Sequence, residues 1–286
     1  MHKLLAQAPM STDGHEERPA VIQPIGRSQP VDSQGFIVNT CSADLIKAPW
    51  SRLVSDLLAQ CQDELGDSLH SLQLRGSVPR GLAVEGLSDL DVFCITDGRL
   101  PQASVWIDRM ARRLQALHPF CRGLDLRVWP LCDLVGLPSG HPARFLLKTQ
   151  GLCIWGPDAT ADWAPVPLEH ASIAMKALPA ALERMRGAIA QNTPADEALM
   201  VARCRWLAKK VVRAGFELVA PLERAYTRDL YPCWQGFARH HRALTTPMEE
   251  VLLLAIRPTA RTSSLRKILE LGEQVLIEAR RSGRLL

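Results

Sequence analysis

No window of the sequence approaches the roughly 18 apolar residues needed to cross a bilayer, so a membrane-spanning helix is not expected. The opening MHKLLAQAPMSTDGHEER has one lysine and few apolar residues before polar ones intervene, too short a core for a secretory signal. Paired CxxC motifs are missing too. The eight cysteines, at 41, 61, 94, 121, 132, 153, 204 and 233, are scattered without zinc-ligand spacing, and 286 residues can build a core without disulfide staples. Free thiols in a cytoplasmic protein are the expectation, and none has a neighbour suited to activating a nucleophile. A strong charge of one sign is also absent: Lys and Arg number 34 against 30 Asp and Glu, a net charge of +4. With no interleaved basic and aromatic stripe, that balance argues against a dedicated nucleic-acid binder. What remains, 47% hydrophobic and 22% charged residues, is ordinary for a soluble globular protein with one large or two smaller domains.

Residues 1–46 are rich in Pro, Ser, Gln and Gly and lack sustained periodicity, which predicts a mobile tail, with FIVNT as a possible edge strand. From Ala48 to Leu65 the residues Leu53, Leu57, Leu58 and Cys61 recur at helical spacing, and Gly66 ends that helix. Strands follow in LHSLQLR and LDVFCIT, a helix in PQASVWIDRMARRLQALHP, a strand in LDLRVWPL, a short helix in HPARFLLKTQG and a strand in LCIWGPD. This order predicts an α+β chain: a small mixed β-sheet domain with flanking helices over 47–160. Pro157, Pro165 and Pro167 mark a link. An all-α helical bundle is expected over 168–286. There TPADEALMVARCRWLAKKVVRAG is read as a helix from a Thr cap and Pro194 to Gly215, and TPMEEVLLLAI as one opened by a capping box of Thr246 and Glu249. SSLRKILELGEQVLIEARRSG is the last amphipathic helix.

The stretch LQLRGSVPRGLAVEGLSDLDVFCIT carries the chemistry. Side chains alternate along a strand, so Asp89 and Asp91 project from one face, where two carboxylates repel unless a cation lies between them. Gly76 and Ser77 form a turn after an apolar strand, and GLDLRV places a third acid, Asp125, on a later strand. The alternative is a turn and strand-start pair capped by Ser88, with Asp125 a surface carboxylate.

The run GSVPRGLAVEGLSDLDV resembles the polymerase-β-like nucleotidyltransferase signature. It is closest to the bacterial group of aminoglycoside adenylyltransferases and minimal nucleotidyltransferases. The resemblance covers about residues 50–160, and between Gly81 and Ser88 this chain is one residue longer than the tighter versions of the family. It implies that Gly76 and Ser77 bind the triphosphate. Arg80 and Ser88 are further candidates for nucleotide binding, and Arg75 and Arg80 flank the turn where they can touch phosphate, the alternative being a solvated strand-end arginine. The resemblance also implies that Asp89, Asp91 and Asp125 are catalytic and hold Mg2+, as two ions, with Mn2+ as a substitute, Asp125 also assisting deprotonation of the acceptor hydroxyl. ATP is the expected donor of AMP, and a hydroxyl of a small molecule or a protein the acceptor. Nucleic acid and membranes are not expected as partners.

In the helical part, Arg203, Arg205, Lys209, Lys210 and Arg213 surround Trp206 at spacings that put some of them on one helix face. Lys209 is the candidate for binding phosphate there, as the resemblance implies, against a solvated helix face. The adjacent His240 and His241 point about 100° apart and make a poor metal pair. Tyr226, Trp234 and Phe237 read as packing residues. Two alternatives stay open: an adenylylating member of a toxin–antitoxin or regulatory pair, and an inactive nucleotide-sensing module.

Overall fold

The computed structural model describes residues 22–98, 103–138, 140–190 and 197–284. After a two-residue strand, β1 (Gln29–Pro30), the chain forms α1 (Trp50–Leu65), whose residues Leu53, Leu57 and Cys61 are buried at the spacing of one helical face. Gly66 closes α1 with its N–H donating to the Gln62 carbonyl. The chain then lays down β2 (Leu69–Arg75), β3 (Leu90–Thr96), α2 (Ala103–Leu117) and β4 (Leu124–Pro130). Next come α3 (Leu131–Val135), α4 (Pro142–Gln150) and β5 (Gly151–Trp155). Sequence periodicity had not separated the five-residue α3, which is shorter than two helical turns.

The strands form one mixed sheet in the order β4-β3-β2-β5, with β2 antiparallel to both β3 and β5, and β3 parallel to β4. A parallel pair needs a long crossover, and α2 supplies it. One sheet face, with Leu72, Leu74, Leu90, Val92 and Leu126, packs on Leu53 and Leu57 of α1 and on Trp106, Met110 and Leu114 of α2. The opposite face packs Phe93 and Ile95 against Leu134 of α3, Ala143 and Leu147 of α4, and Trp163. Each leucine so buried contributes about 1.5–3 kcal/mol. Arg75, Asp91 and Asp125 belong to that second face by strand alternation, at the end where β2 stops and β3 and β4 begin.

The chain divides into two units, this one spanning Asn39–Val166 and the other combining 22–38 with the residues from Pro167 onward. The second unit contains α5 (Ile173–Ala190), α6 (Glu197–Glu223), a two-residue strand β6 (Ala225–Tyr226), α7 (Leu230–His240), α8 (Thr245–Ile256) and α9 (Thr262–Arg281). Its core gathers on α6, where Cys204, Leu207, Ala208, Val211, Val212 and Phe216 are almost wholly buried. The fold is therefore α+β, a small mixed sheet with flanking helices and a helical bundle. No helix among the described residues is long and apolar enough to cross a membrane.

Three expectations need correction. The tail reading covers residues 1–21, which lie outside the described residues, but it does not hold for 22–46. There β1 pairs antiparallel with β6, the Arg27 N–H donates to Asp229, and the Thr227 hydroxyl donates to the Arg27 carbonyl. Gly215 does not end a helix: α6 runs on to Glu223, and Gly215 is needed for space, since a Cβ there would meet the Met248 methyl at 2.6 Å and the Phe237 ring at 3.1 Å. Thr193 and Pro194, read as that helix's start, lie outside the described residues. The capping box of Thr246 and Glu249 does not form, because α8 begins at Thr245, straight from a 3-10 turn over Arg242–Leu244, with no side-chain cap.

Candidate active site

Strand register assembles the site. Arg75 at the end of β2 is the cross-strand partner of Asp91 on β3, and Asp91 is in turn the partner of Asp125 on β4. One nitrogen of Arg75, Nη2, reaches both acids, 2.6 Å from Asp91 Oδ1 and 3.7 Å from Asp125 Oδ2. Arg127, two residues along β4, adds a second cation 3.4 Å from Asp125 Oδ2. The Arg75 guanidinium also lies 5.8 Å from the centre of the Phe93 ring.

The turn after β2 is built around these acids. Gly76 has a φ of +88°, and a Cβ there would sit 2.8 Å from Asp91 Oδ2. Only glycine lets the backbone come so close while holding that conformation. Arg80 is buried and its Nε donates to the Gly76 carbonyl at 2.9 Å, bracing the turn from within. The Ser77 carbonyl accepts from Leu82 N–H, and half-buried Ser88 accepts the Val84 N–H on its hydroxyl and the Arg122 N–H on its carbonyl. The looped link of 76–89 is thus pinned at both ends. Val78, Gly81 and Glu85 of the same link, with Leu45, Lys47 and Trp50, line a cavity of about 440 Å³ of mixed polar and apolar surface.

Asp89 directly precedes β3, is exposed, and lies near enough to Cys121 for its charge to add to the burial that raises that thiol. Among the described residues, no three His, Cys, Asp or Glu side chains are gathered as a metal-holding group. Asp91 and Asp125 are the acids brought side by side. Burial also pushes Cys41 up to about 12 and raises Cys153, Cys204 and Cys233, while a hydrogen bond with Cys61, together with burial, raises Cys94; all five are held toward the protonated thiol.

Lys209 lies on α6 of the helical unit and is half-buried. The neighbouring cations there are tightly arranged. Lys210 Nζ and the Arg184 guanidinium lie 5.0 Å and 5.5 Å from the Trp206 ring centre. Arg213 Nε donates to the Arg228 carbonyl, and burial together with the Arg228 charge lowers Arg213 to about 10 and Lys210 in the same direction. Glu217, buried on the same helix, accepts the N–H groups of Ala174 and Met175 in the first turn of α5. Burial pushes it up to about 7 against those two bonds. His240 bonds to Glu223 while His241 stacks on Phe237, so the two imidazoles serve different neighbours.

The sequence pointed to Gly76, Ser77, Asp91 and Asp125, and to Arg75 and Arg80 as phosphate-side flanks of the turn, but not to the contact of Arg75 with the two acids, nor to Arg127. The signal for Arg127 was its place two residues after Asp125 on one strand, and so on the same face. The fold is adenylyltransferase-like. It is similar to the crystal structure of spectinomycin adenyltransferase AAD(9) from Enterococcus faecialis with ATP and spectinomycin, with a TM-score of 0.50 and 11% sequence identity over 79% of this chain and 98% of that one. No protein-family model and no curated protein matches the sequence.

Proposed function

We propose that this chain is a magnesium-dependent nucleotidyltransferase of the polymerase-β-like type that moves AMP from ATP onto a hydroxyl of a small molecule. The observation that carries the reading is the pairing of Asp91 with Asp125 directly beside the close-approach glycine, Gly76. The solved neighbour, an adenyltransferase with ATP and spectinomycin, supports the donor and the kind of acceptor.

The donor set suits the metal: magnesium takes hard carboxylate oxygens, commonly one or two, and completes its shell with substrate phosphates and water. Asp91 and Asp125 would hold it, with Asp89 just ahead of β3 as the third candidate ligand, as two ions, with Mn2+ as a substitute. When bound, the metal would neutralise phosphate charge and stabilise the entering and leaving oxygens. The protein's own groups do the rest. The Gly76–Ser77 turn offers backbone N–H groups and a hydroxyl to the triphosphate. Arg80 and Ser88 keep that turn in shape, and Lys209 is the helical unit's phosphate-binding candidate. Asp125 accepts the proton of the attacking hydroxyl. The new bond joins that oxygen to the α-phosphorus, the bond to the β-phosphate oxygen breaks, and pyrophosphate leaves.

Pyrophosphate release with each of the four nucleoside triphosphates, across a panel of polyhydroxylated small molecules and a protein extract, tests the assignment. ATP should serve best. Asp89→Asn should weaken metal and nucleotide binding, whereas Asp125→Asn should spare much of the binding and abolish turnover. Equal release by wild type and both variants defeats the reading.

A further inference from the structure

We infer that Arg75 is a positioning residue, a resident counter-cation that reaches both Asp91 and Asp125 and yields those acids to a divalent metal only when nucleotide phosphates are there to receive it. The inference rests on the proposed function and deepens it. Two carboxylates held side by side on neighbouring strands repel unless a cation lies between them. Here that cation is part of the chain. Arg75 Nη2 sits 2.6 Å from Asp91 and 3.7 Å from Asp125, with the three side chains only 15%, 17% and 21% exposed.

The guanidinium is not in the arrangement its own chemistry favours. A guanidinium usually meets a carboxylate through two parallel N–H bonds. Arg75 instead places a single nitrogen toward both acids and leaves its Nε buried with no hydrogen-bond partner. Buried donors are seldom left so, and a guanidinium drawn toward two acids at once does not align its fork with either. Arg75 and a metal would therefore compete for the same carboxylate oxygens. A triphosphate supplies the missing partner: it offers the guanidinium an anion matched to its planar fork, releasing Asp91 and Asp125 to the metal carried by the same nucleotide. Coupling of this kind makes metal and nucleotide bind together and keeps free metal out.

Mn2+ binding to the full chain, followed by electron paramagnetic resonance with and without a non-hydrolysable α,β-methylene ATP analogue, tests this without relying on turnover. Wild type should take up Mn2+ weakly alone and more tightly with the analogue. Arg75→Gln should bind Mn2+ alone about ten-fold more tightly than wild type or better. Arg75→Met, which keeps an unbranched apolar stem, is read in the same way should the glutamine variant fail to fold. Arg127→Gln removes the more exposed cation that lies 3.4 Å from Asp125, and should gain about three-fold or less. Gains at position 75 no larger than at position 127 overturn the role of Arg75. If wild type binds Mn2+ with the analogue but the Arg75 variants gain nothing alone, only that role is lost. If no protein binds Mn2+ under any condition, the metal-dependent function is rejected with it.

Discussion

Replacing Gly76 by alanine puts a methyl group into the tightest contact of the site, and the cost can be worked out. The backbone at Gly76 has a φ of +88°, a conformation that costs an L-residue about 1–2 kcal/mol. The new Cβ would lie 2.8 Å from Asp91 Oδ2, whereas ordinary contact begins near 3.4 Å, so that oxygen must retreat by about 0.6 Å. It belongs to the carboxylate held 2.6 Å from Arg75, and loss of a charged hydrogen bond costs about 1.5–3 kcal/mol. Gly86→Ala is the matched control: its φ is +75°, but nothing lies within 4 Å of the added Cβ. Gly76→Ala should therefore lose about 2.5–5 kcal/mol, and Gly86→Ala about 1–2. In a thermal melt these correspond to shifts of about 10 °C and about 4 °C. Because a displacement of this size misaligns reacting groups, Gly76→Ala should also lose about 100-fold in pyrophosphate release while Gly86→Ala stays within about 3-fold. Equal losses in the two variants, in stability and in turnover, would refute the idea that Gly76 is kept bare by Asp91.

Glu217 makes a prediction in pH. Its folded value of about 7 lies above the ordinary 4.5, so the folded state holds its proton longer than the unfolded chain does. The stability it contributes is complete below pH 4.5 and is lost as pH rises through about 7, by about 3 kcal/mol at most. Urea midpoints measured from pH 4.5 to 7.5 should show this fall in wild type relative to Glu217→Gln, and parallel profiles would contradict it. Two helical glycines should respond in opposite senses. Gly187→Ala on α5 meets nothing within 4 Å and should gain about 0.5–1 kcal/mol. Gly215→Ala must push aside Met248 and Phe237 and should lose about 1–2 kcal/mol after the gain in helix propensity is counted. Denaturant melts of both distinguish packing from propensity.

The sheet strands were readable because their signals are local. Alternation in LHSLQLR and LDVFCIT, bounded by Gly76–Ser77 and by Asp97–Gly98, matches Leu69–Arg75 and Leu90–Thr96. The motif's glycine and aspartates could be picked out for the same reason, since their spacing lies within one continuous stretch. Residues 22–35 were not readable as structure. Their partners, Ala225–Tyr226, Thr227 and Asp229, are about 200 residues away in sequence, and the segment has no periodicity of its own. Gly215 looked like a helix stop because glycine usually weakens helices, but packing against Phe237 and Met248 decided otherwise.

By itself the sequence determined the succession of helices and strands, the Gly-Ser turn and the presence of three acids, because periodicity and turn chemistry act over a few neighbouring residues. Tertiary structure alone decided which acids meet. Register pairs Asp91 with both Arg75 and Asp125, while Asp89 stands just ahead of the strand. Cross-strand register depends on the packing of two sheet faces and on a crossover helix, and a one-residue slip would have turned the same aspartates into the core.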